Sequence, residues 1–455
     1  MKNRLIRMTE GAPGKLILQF ALPLMLGSIF QQTYTIVDTA VVGQVVGVDG
    51  LAALGAVDWF NWLSLGICTG LAQGFSILIA QFFGGKDDIR LKKAVAMSFL
   101  LTFLAAVLLT SGFQLSARPV LNLMGTDPAI MEGAMTYVRI CFSGISVVLS
   151  YNVLAAILRA IGDSTTPLVA MVIAAGINVG LDLLFVVVFR WGIAGAAAAT
   201  VIGQFFSAMY CLVRLKKVEV MRLKKTDWKW DSLIVRRLLS LSGPLAFQSA
   251  VIAIGGMILQ SIVNTFGVIF VAGFTATNKL YGLLEMAAIS FGHAMSTYTG
   301  QNLGAKNFKR IKKGVRAGAK MAIMTAVATS VIMIVFGRYF IALFVDGSNT
   351  ESEAVMTYAY HYLFTMSLFL FILYLLYIYR SALQGMGNTG VPLFSGVVEL
   401  VMRIGSALIL PYFINEYGVY MAEVLAWTGA TILLILCYYR TEKRFPSDHG
   451  TSREE

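Results

Sequence analysis

Two acids stand in segments that are otherwise apolar. "FQQTYTIVDTAVVGQVVG", residues 30–47, carries Asp38 near the end of a hydrophobic run reaching back to Leu16. "GINVGLDLLFV", residues 176–186, carries Asp182 in the same kind of setting. A charge in hydrocarbon costs several kcal/mol or more, so such a residue is paired, neutralised or solvated in a cavity. Each acid has a polar residue four positions earlier, Tyr34 before Asp38 and Asn178 before Asp182, and residues four apart share a helix face. Thr200, in "GIAGAAAATVIGQ", lies about eight residues into the next apolar segment, on the helical reading of its 1.5 Å rise. Two carboxylates, an amide, a phenol and a hydroxyl make a proton or alkali-cation site in chemical type, because hard cations prefer oxygen ligands. The plainer alternative is that both acids only bond to neighbouring helices.

The segments that must hold these groups are set by composition. Of 455 residues, 57% are hydrophobic and 13% charged, against roughly 25% charged in a soluble domain. Apolar runs of about 20 residues recur from end to end, which marks a multi-spanning helical membrane protein. The reading gives twelve spans, near 16–44, 51–83, 91–113, 131–160, 165–189, 192–213, 234–265, 268–302, 311–337, 351–385, 390–414 and 417–439. Thirty of the 36 Lys and Arg fall at the termini or in connections after even-numbered spans. Arg118, Arg190 and Arg338 fall on the opposite side, and Arg139, Lys279 and Arg403 within spans. By the positive-inside rule both termini are cytoplasmic, with the protein in the cytoplasmic membrane. The net charge of +12 is then a topology signal and an attraction to the lipid bilayer rather than to nucleic acid.

With the start of span 1 inside, Asp38 lies about 33 Å along that helix from Leu16, in the outer half of the membrane. Asn178 and Asp182 reach a similar depth on span 5, and Thr200 on span 6. Five polar groups from three spans therefore meet at one level.

The chain repeats itself at about half its length. "LAALGAVDWFNWLSLGICTGLAQGFSILIAQFFGGKDDIRLKKAV" from Leu51 matches "VAGFTATNKLYGLLEMAAISFGHAMSTYTGQNLGAKNFKRIKKGV" from Val271, and "AIGDSTTPL" at 160 recurs as "GMGNTGVPL" at 385. Six spans per half is an even number, so both halves insert the same way and are related by an axis along the membrane normal. The expected organisation is an N-terminal lobe over 1–213 with the cation site, a basic linker over 214–233 and a C-terminal lobe over 234–455. The second half does not copy the acids. It has Lys279, Glu285 and His293 in span 8, and Glu399 and Arg403 in span 11, the last two spaced to pair at i and i+4.

Other chemistry finds no support. "GAPGKL" at 11 lacks the spacing of a phosphate loop. Three histidines and four cysteines show no metal spacing, and Cys68, Cys141, Cys211 and Cys437 read as small packing residues. No nucleophile constellation is present, so the chain is not read as an enzyme, and no cofactor is expected.

These segments resemble the multidrug and toxic compound extrusion (MATE) family. The resemblance runs over the whole chain and is most specific in "PLMLGSIFQQTYTIVDTAVVG", "GINVGLDLLFV" and "GIAGAAAAT". It implies an all-α fold of two six-helix lobes related by pseudo-twofold symmetry. It also implies antiport, the export of small organic, often cationic, compounds against inward H+ or Na+. Carried over by motif from the DinF-like branch, the coupling site comprises Tyr34, Asp38, Asn178, Asp182 and Thr200, with Na+ held by Asp38, Asn178, Asp182 and Thr200. Pro23 becomes a hinge in span 1, since proline removes a helical hydrogen bond. Trp59, Trp62, Gln248, Asn278, Tyr281, Glu285 and Arg403 become candidates for the substrate cavity, the aromatics by stacking on a cation. The chain is expected to work as a monomer. The fold is shared with flippases of lipid-linked substrates, which is the alternative function.

Overall fold

The computed structural model describes residues 5–343 and 352–446. The expected start of span 10 and the C-terminal tail lie outside the described residues. Every regular element among the described residues is helical. In chain order these are α1 (Pro13–Val45), α2 (Val48–Gly84), α3 (Asp88–Leu123), α4 (Pro128–Ser143), α5 (Ile145–Ala160), α6 (Thr165–Asp182), α7 (Gly192–Lys216), α8 (Ser232–Val263), α9 (Val268–Gly304), α10 (Phe308–Ile341), α11 (Ser352–Leu368), α12 (Leu370–Gly385), α13 (Gly390–Ile409), α14 (Pro411–Ile414) and α15 (Tyr417–Glu442). A π-helical turn, Leu183–Val188, directly continues α6.

Among the described residues nine helices are long and apolar enough to cross a membrane, or eleven if the bent pairs α4–α5 and α11–α12 each count as one span. The remaining expected span is α9. At 37 residues and about 1.5 Å each it is long enough to cross, but Asn278, Lys279, Glu285 and His293 interrupt its apolar run.

The duplication read from the sequence recurs in the backbone. Lys86 and Lys306, 220 positions apart, both have φ 56° and end α2 and α9 in the same left-handed turn. Gly162 and Gly387 do the same after α5 and α12, with φ 93° and 83°. A side chain at Gly162 would strain the backbone and strike the Ile6 carbonyl. The two bent pairs also correspond. One breaks at Gly144 by 47° and the other at Phe369 by 49°. Pro23 and Pro244, 221 apart, each sit inside the first long helix of a half.

Two compact units are present. The first contains 19–83 and 87–258, and so takes in most of α8 beyond the linker; the second contains 7–18, 84–86 and 259 onward. The reason α8 joins the first unit is a stripe of glycines on α2. Gly66, Gly70 and Gly74 are spaced by four and face Ser249, Ala246 and Ser242 of α8. A Cβ at Gly74 would lie 2.2 Å from the Ser242 Cα, so the backbones touch. Small residues allow such an approach, and in lipid the attraction between helices comes from this packing. The linker is tied down as well. Asp231 caps α8 by accepting the Ile234 N–H at 3.1 Å, and its other oxygen accepts from Lys93 Nζ of α3 at 3.2 Å. In the second unit the chain near Met8 is held by Gln301, which accepts the Met8 N–H at 2.9 Å, and by Asn302 and Arg310, which donate to the Met8 carbonyl.

Two outcomes follow from these contacts. Gly74→Leu is expected to lower the thermal midpoint of the purified protein sharply, by the cost of overpacking, about 1–3 kcal/mol or more. Gly112→Ala, on an open face of α3, should leave it unchanged or raise it slightly. The capping N–H of Ile234, and then Lys93, hold the Asp231 carboxyl below its usual range. Its contribution is therefore full above the ordinary carboxylate pKa and is lost as pH falls through the depressed value. Asp231→Ala should cost about 1 kcal/mol at neutral pH and flatten the acid side of a stability-against-pH curve.

Candidate cation-binding site

The five residues singled out in the first half meet in the first unit. Asp182 is fully buried, Asn178 is 1% exposed, and Tyr34 and Asp38 are each 8% exposed. α6 and α7 are joined here. The Asn178 amide donates to the Thr200 hydroxyl at 3.3 Å, and about two turns along Ser207 donates to the Ala170 carbonyl at 2.8 Å. Gly203 permits this approach, since a Cβ there would sit 3.1 Å from the Ala174 carbonyl oxygen. Asp38 on α1 lies within electrostatic range of Asp182 on α6.

Gln204 is the residue sequence reasoning missed. It lies one turn beyond Thr200, is buried, and is in hydrogen-bonding reach of the Tyr34 phenol. Its i, i+4 spacing from Thr200 was visible in the sequence. A glutamine midway along α7 gives no sign in the sequence of which way it faces. Tyr137 and Cys141 of α4 also come within electrostatic range of Asp38.

The arrangement is layered. Asp38, Asp182 and Thr200 form one level. Tyr34, Asn178 and Gln204 lie four residues from them on the inner side of the expected topology. Four residues to the other side lie Val42, Val186 and Ala196, which with Leu54 form a buried apolar cluster. That cluster closes one end of the site with hydrocarbon. The π-turn after Asp182 widens α6 just there, a feature that often marks functional positions.

The chemistry of the site lies in what is missing from its hydrogen bonding. Asp38 Oδ1, Asn178 Oδ1, both carboxylate oxygens of Asp182 and Gln204 Oε1 are buried with no donor. Neither acid has a basic partner among the described residues. Native proteins rarely leave buried acceptors unmatched, and a buried charge without a partner is far costlier. Five orphaned acceptors and two acids create a place for a positive species. The donor set, all oxygen, suits a proton or a hard monovalent cation. No group of three or more His, Cys, Asp and Glu able to hold a metal ion occurs among the described residues.

The candidate cavity residues fall into both units. In the first, Trp59 meets Trp62 edge-on at 6.1 Å, and a Cβ at Gly256 of α8 would strike the Trp59 ring. Gln248 is buried with its amide nitrogen unpartnered. In the second, Tyr281 stacks on Trp427 at 5.9 Å, Asn278 accepts from Tyr362 at 3.4 Å, and Glu285 accepts from Tyr377 at 2.6 Å. The expected pairing of Glu399 with Arg403 is not what forms. Glu399 is bound by Arg380 of α12, and Arg403 binds Glu423 of α15 at 2.9 Å. Arg380 is buried, 6% exposed. An i, i+4 spacing puts two side chains on one face but does not stop a better-aligned partner on the next helix from taking each. The cysteines are free, with Cys68 and Cys211 buried as packing residues.

A bundle of long apolar helices built by duplication, with an acceptor-lined pocket beside a helix break, defines a membrane transporter rather than an enzyme. The sequence profile of the MatE family matches residues 23–184 and 244–409, and the chain belongs to that family. The probable multidrug resistance protein YpnP of Bacillus subtilis is 32% identical over 342 residues, covering 74% of this chain and 76% of YpnP. DNA damage-inducible protein F of Escherichia coli is 24% identical over 341 residues, 72% of each chain. Among solved structures, an outward-facing multidrug resistance MATE family transporter of the MOP superfamily has the same fold. It aligns with a TM-score of 0.92 at 23% identity over 98% of this chain and all of the other.

Gln204→Leu tests whether the fifth residue belongs to the site. It replaces an acceptor by an apolar group of similar size. Losing one such ligand costs about 1–3 kcal/mol, so binding at the site should weaken by about 5- to 150-fold. The readout is the shift in thermal midpoint produced by added Na+ or by lowered pH, compared with the parent and with Asp182→Asn.

Proposed function

We propose that this protein is a secondary antiporter that exports small organic, cationic compounds in exchange for inward H+ or Na+. The coupling ion binds at Asp38, Asp182, Asn178, Tyr34, Thr200 and Gln204. The observation that carries the reading is the set of five buried acceptor oxygens without donors, on three helices. A structural pair of acids would have been given donors, as Glu399 and Glu423 have been. A site that must alternately hold and release a cation is left unsatisfied by its own protein. Membership of the family and likeness to proteins named for multidrug resistance support export as the direction and drugs as the cargo.

In this reading the lobes 1–213 and 234–455 alternate access around the bilayer midplane, and 214–233 links them. Pro23 lies about four turns before Asp38 and lets α1 bend when the acid is neutralised. Coupling requires that the ion bind the two states with different affinity. A single copy in the cytoplasmic membrane, with both termini in the cytoplasm, is sufficient. The flippase alternative needs basic groups free to meet phosphate. Arg380 and Arg403 are both bound to glutamates, so the antiport reading is preferred.

The test is flux in proteoliposomes with Na+ and H+ gradients imposed separately and no ATP present. The parent should export a fluorescent cationic dye under one of the two gradients and stop when it collapses. Asp38→Asn, at matched reconstitution, should reduce gradient-driven export by more than about tenfold, the equivalent of about 1.4 kcal/mol or more of lost coupling. Asp182→Asn should do the same or slightly less. Parent-like export by Asp38→Asn, or export that persists without any gradient, would sink the reading.

A further inference from the structure

Within the second unit, ionisable side chains from four helices form one cluster. Arg380 of α12 binds Glu399 of α13, Arg403 of α13 binds Glu423 of α15, and Tyr377 of α12 donates to Glu285 of α9. Glu285 is also within electrostatic range of Glu423, Arg403 and Glu399. The charges do not balance. There are three glutamates and two arginines, and both arginines are already engaged by other glutamates. The one neighbour bonded to Glu285 is a phenol.

Among the described residues, no cationic group besides Arg403 is in electrostatic range of Glu285. Lys279 is exposed and stands six residues before Glu285, about 120° away around the helix. His293 is eight residues further on, about 12 Å along the axis. From α9 itself Tyr281 faces Glu285, and from α12 Tyr377 does, with Arg380 over the Tyr377 ring. From α13 come Glu399 and Arg403, from α15 Glu423, and from α11 Tyr362 reaches Arg403 and Glu423. A membrane-buried cluster left with a net negative charge is costly, whereas a balanced and bonded one is tolerated.

We propose that Glu285 is a second proton-binding site of this protein, holding its proton at neutral pH against the Tyr377 hydroxyl and the Tyr281–Trp427 wall. The neighbouring groups decide between a proton and a metal ion. A hard cation needs several oxygen ligands. Around Glu285 the other carboxylates are committed to guanidinium groups, and the remaining walls are a phenol and stacked rings. A proton needs only the carboxylate itself. Glu285 is half-buried, so a proton can reach it. The Nε–H of Arg380 and that of Arg403 are both buried without an acceptor. That of Arg403, which is within electrostatic range of Glu285, offers it a second partner once it ionises. The oxygen-only pocket around Asp38 and this mixed cluster thus differ in what they can hold. The proposal goes beyond the antiport reading and does not depend on it.

Infrared difference spectroscopy of reconstituted protein, between neutral and alkaline pH, tests this directly. A protonated carboxylic acid has a carbonyl stretch well separated from the bands of ionised carboxylates. The parent should show such a band at neutral pH. Glu285→Gln should delete it, and Asp38→Asn should leave it in place. Tyr377→Phe keeps Glu285 but removes its donor, so the same band should persist and move to higher frequency. A carboxylic-acid region unchanged in both Glu285→Gln and Tyr377→Phe would overturn the proposal, because Glu285 would then be ionised. If Glu285→Gln fails to fold, Tyr377→Phe decides alone. The measurement needs no transport, so a protein inactive in vesicles would refute the antiport reading and leave this one standing.

Discussion

The first unit is organised around an unmet demand for a positive charge. Asp38 and Asp182 are buried within electrostatic range of each other, without a donor to Asp182 and without a basic residue for either. Holding them there requires close helix contact, which Gly203 provides between α6 and α7. It also requires shielding from competing water, which Val42, Leu54, Val186 and Ala196 provide at one end. The energy that keeps two acids in place comes from packing that the acids themselves do not share. Local polar satisfaction is normally among the most consistent features of a folded protein, and among the described residues five of the buried atoms that lack a partner belong to this one site.

The two halves of the duplicated chain are built on the same backbone devices and carry different chemistry. The left-handed turns at Lys86 and Lys306, the glycines at 162 and 387 and the bent helix pairs recur in register. These positions determine where helices begin, bend and end. The polar side chains have diverged on that common frame. The first half gathers two acids with amide, phenol and hydroxyl groups. The second gathers acids with arginines, each arginine closing an ion pair to another helix. A breach in one half costs differently from a breach in the other. Removing an arginine strands a buried glutamate, at about 3–5 kcal/mol, whereas removing a first-half acid relieves a repulsion.

Membership of the MatE family sets the class of activity, and the fold agrees with it across nearly the whole chain. The residues of the pocket are what narrow it further. A fold of this kind hosts more than one cargo. The distribution of paired and unpaired charge inside the membrane therefore carries more information on mechanism than the architecture does.

From the sequence alone, helical class, span number to within the polar α9, the internal duplication and five of the six pocket residues could be read. Each depends on a short-range regularity. Hydropathy follows from the bilayer's thickness, the repeat from matched motifs, and Tyr34–Asp38 and Asn178–Asp182 from helical spacing. What only the tertiary structure decided concerns partners on different helices. Periodicity places a side chain on a face but does not say which neighbour that face meets. Glu399 and Arg403 are well spaced to pair, yet Arg380 and Glu423 take them. Gln204 is invisible as a site residue until α7 is set against α1. The glycine stripe at 66, 70 and 74 selects α8 as its neighbour only because Ser242, Ala246 and Ser249 are small at the same heights. Such choices rest on contacts between residues distant in the chain, and those contacts exist only once the helices have packed.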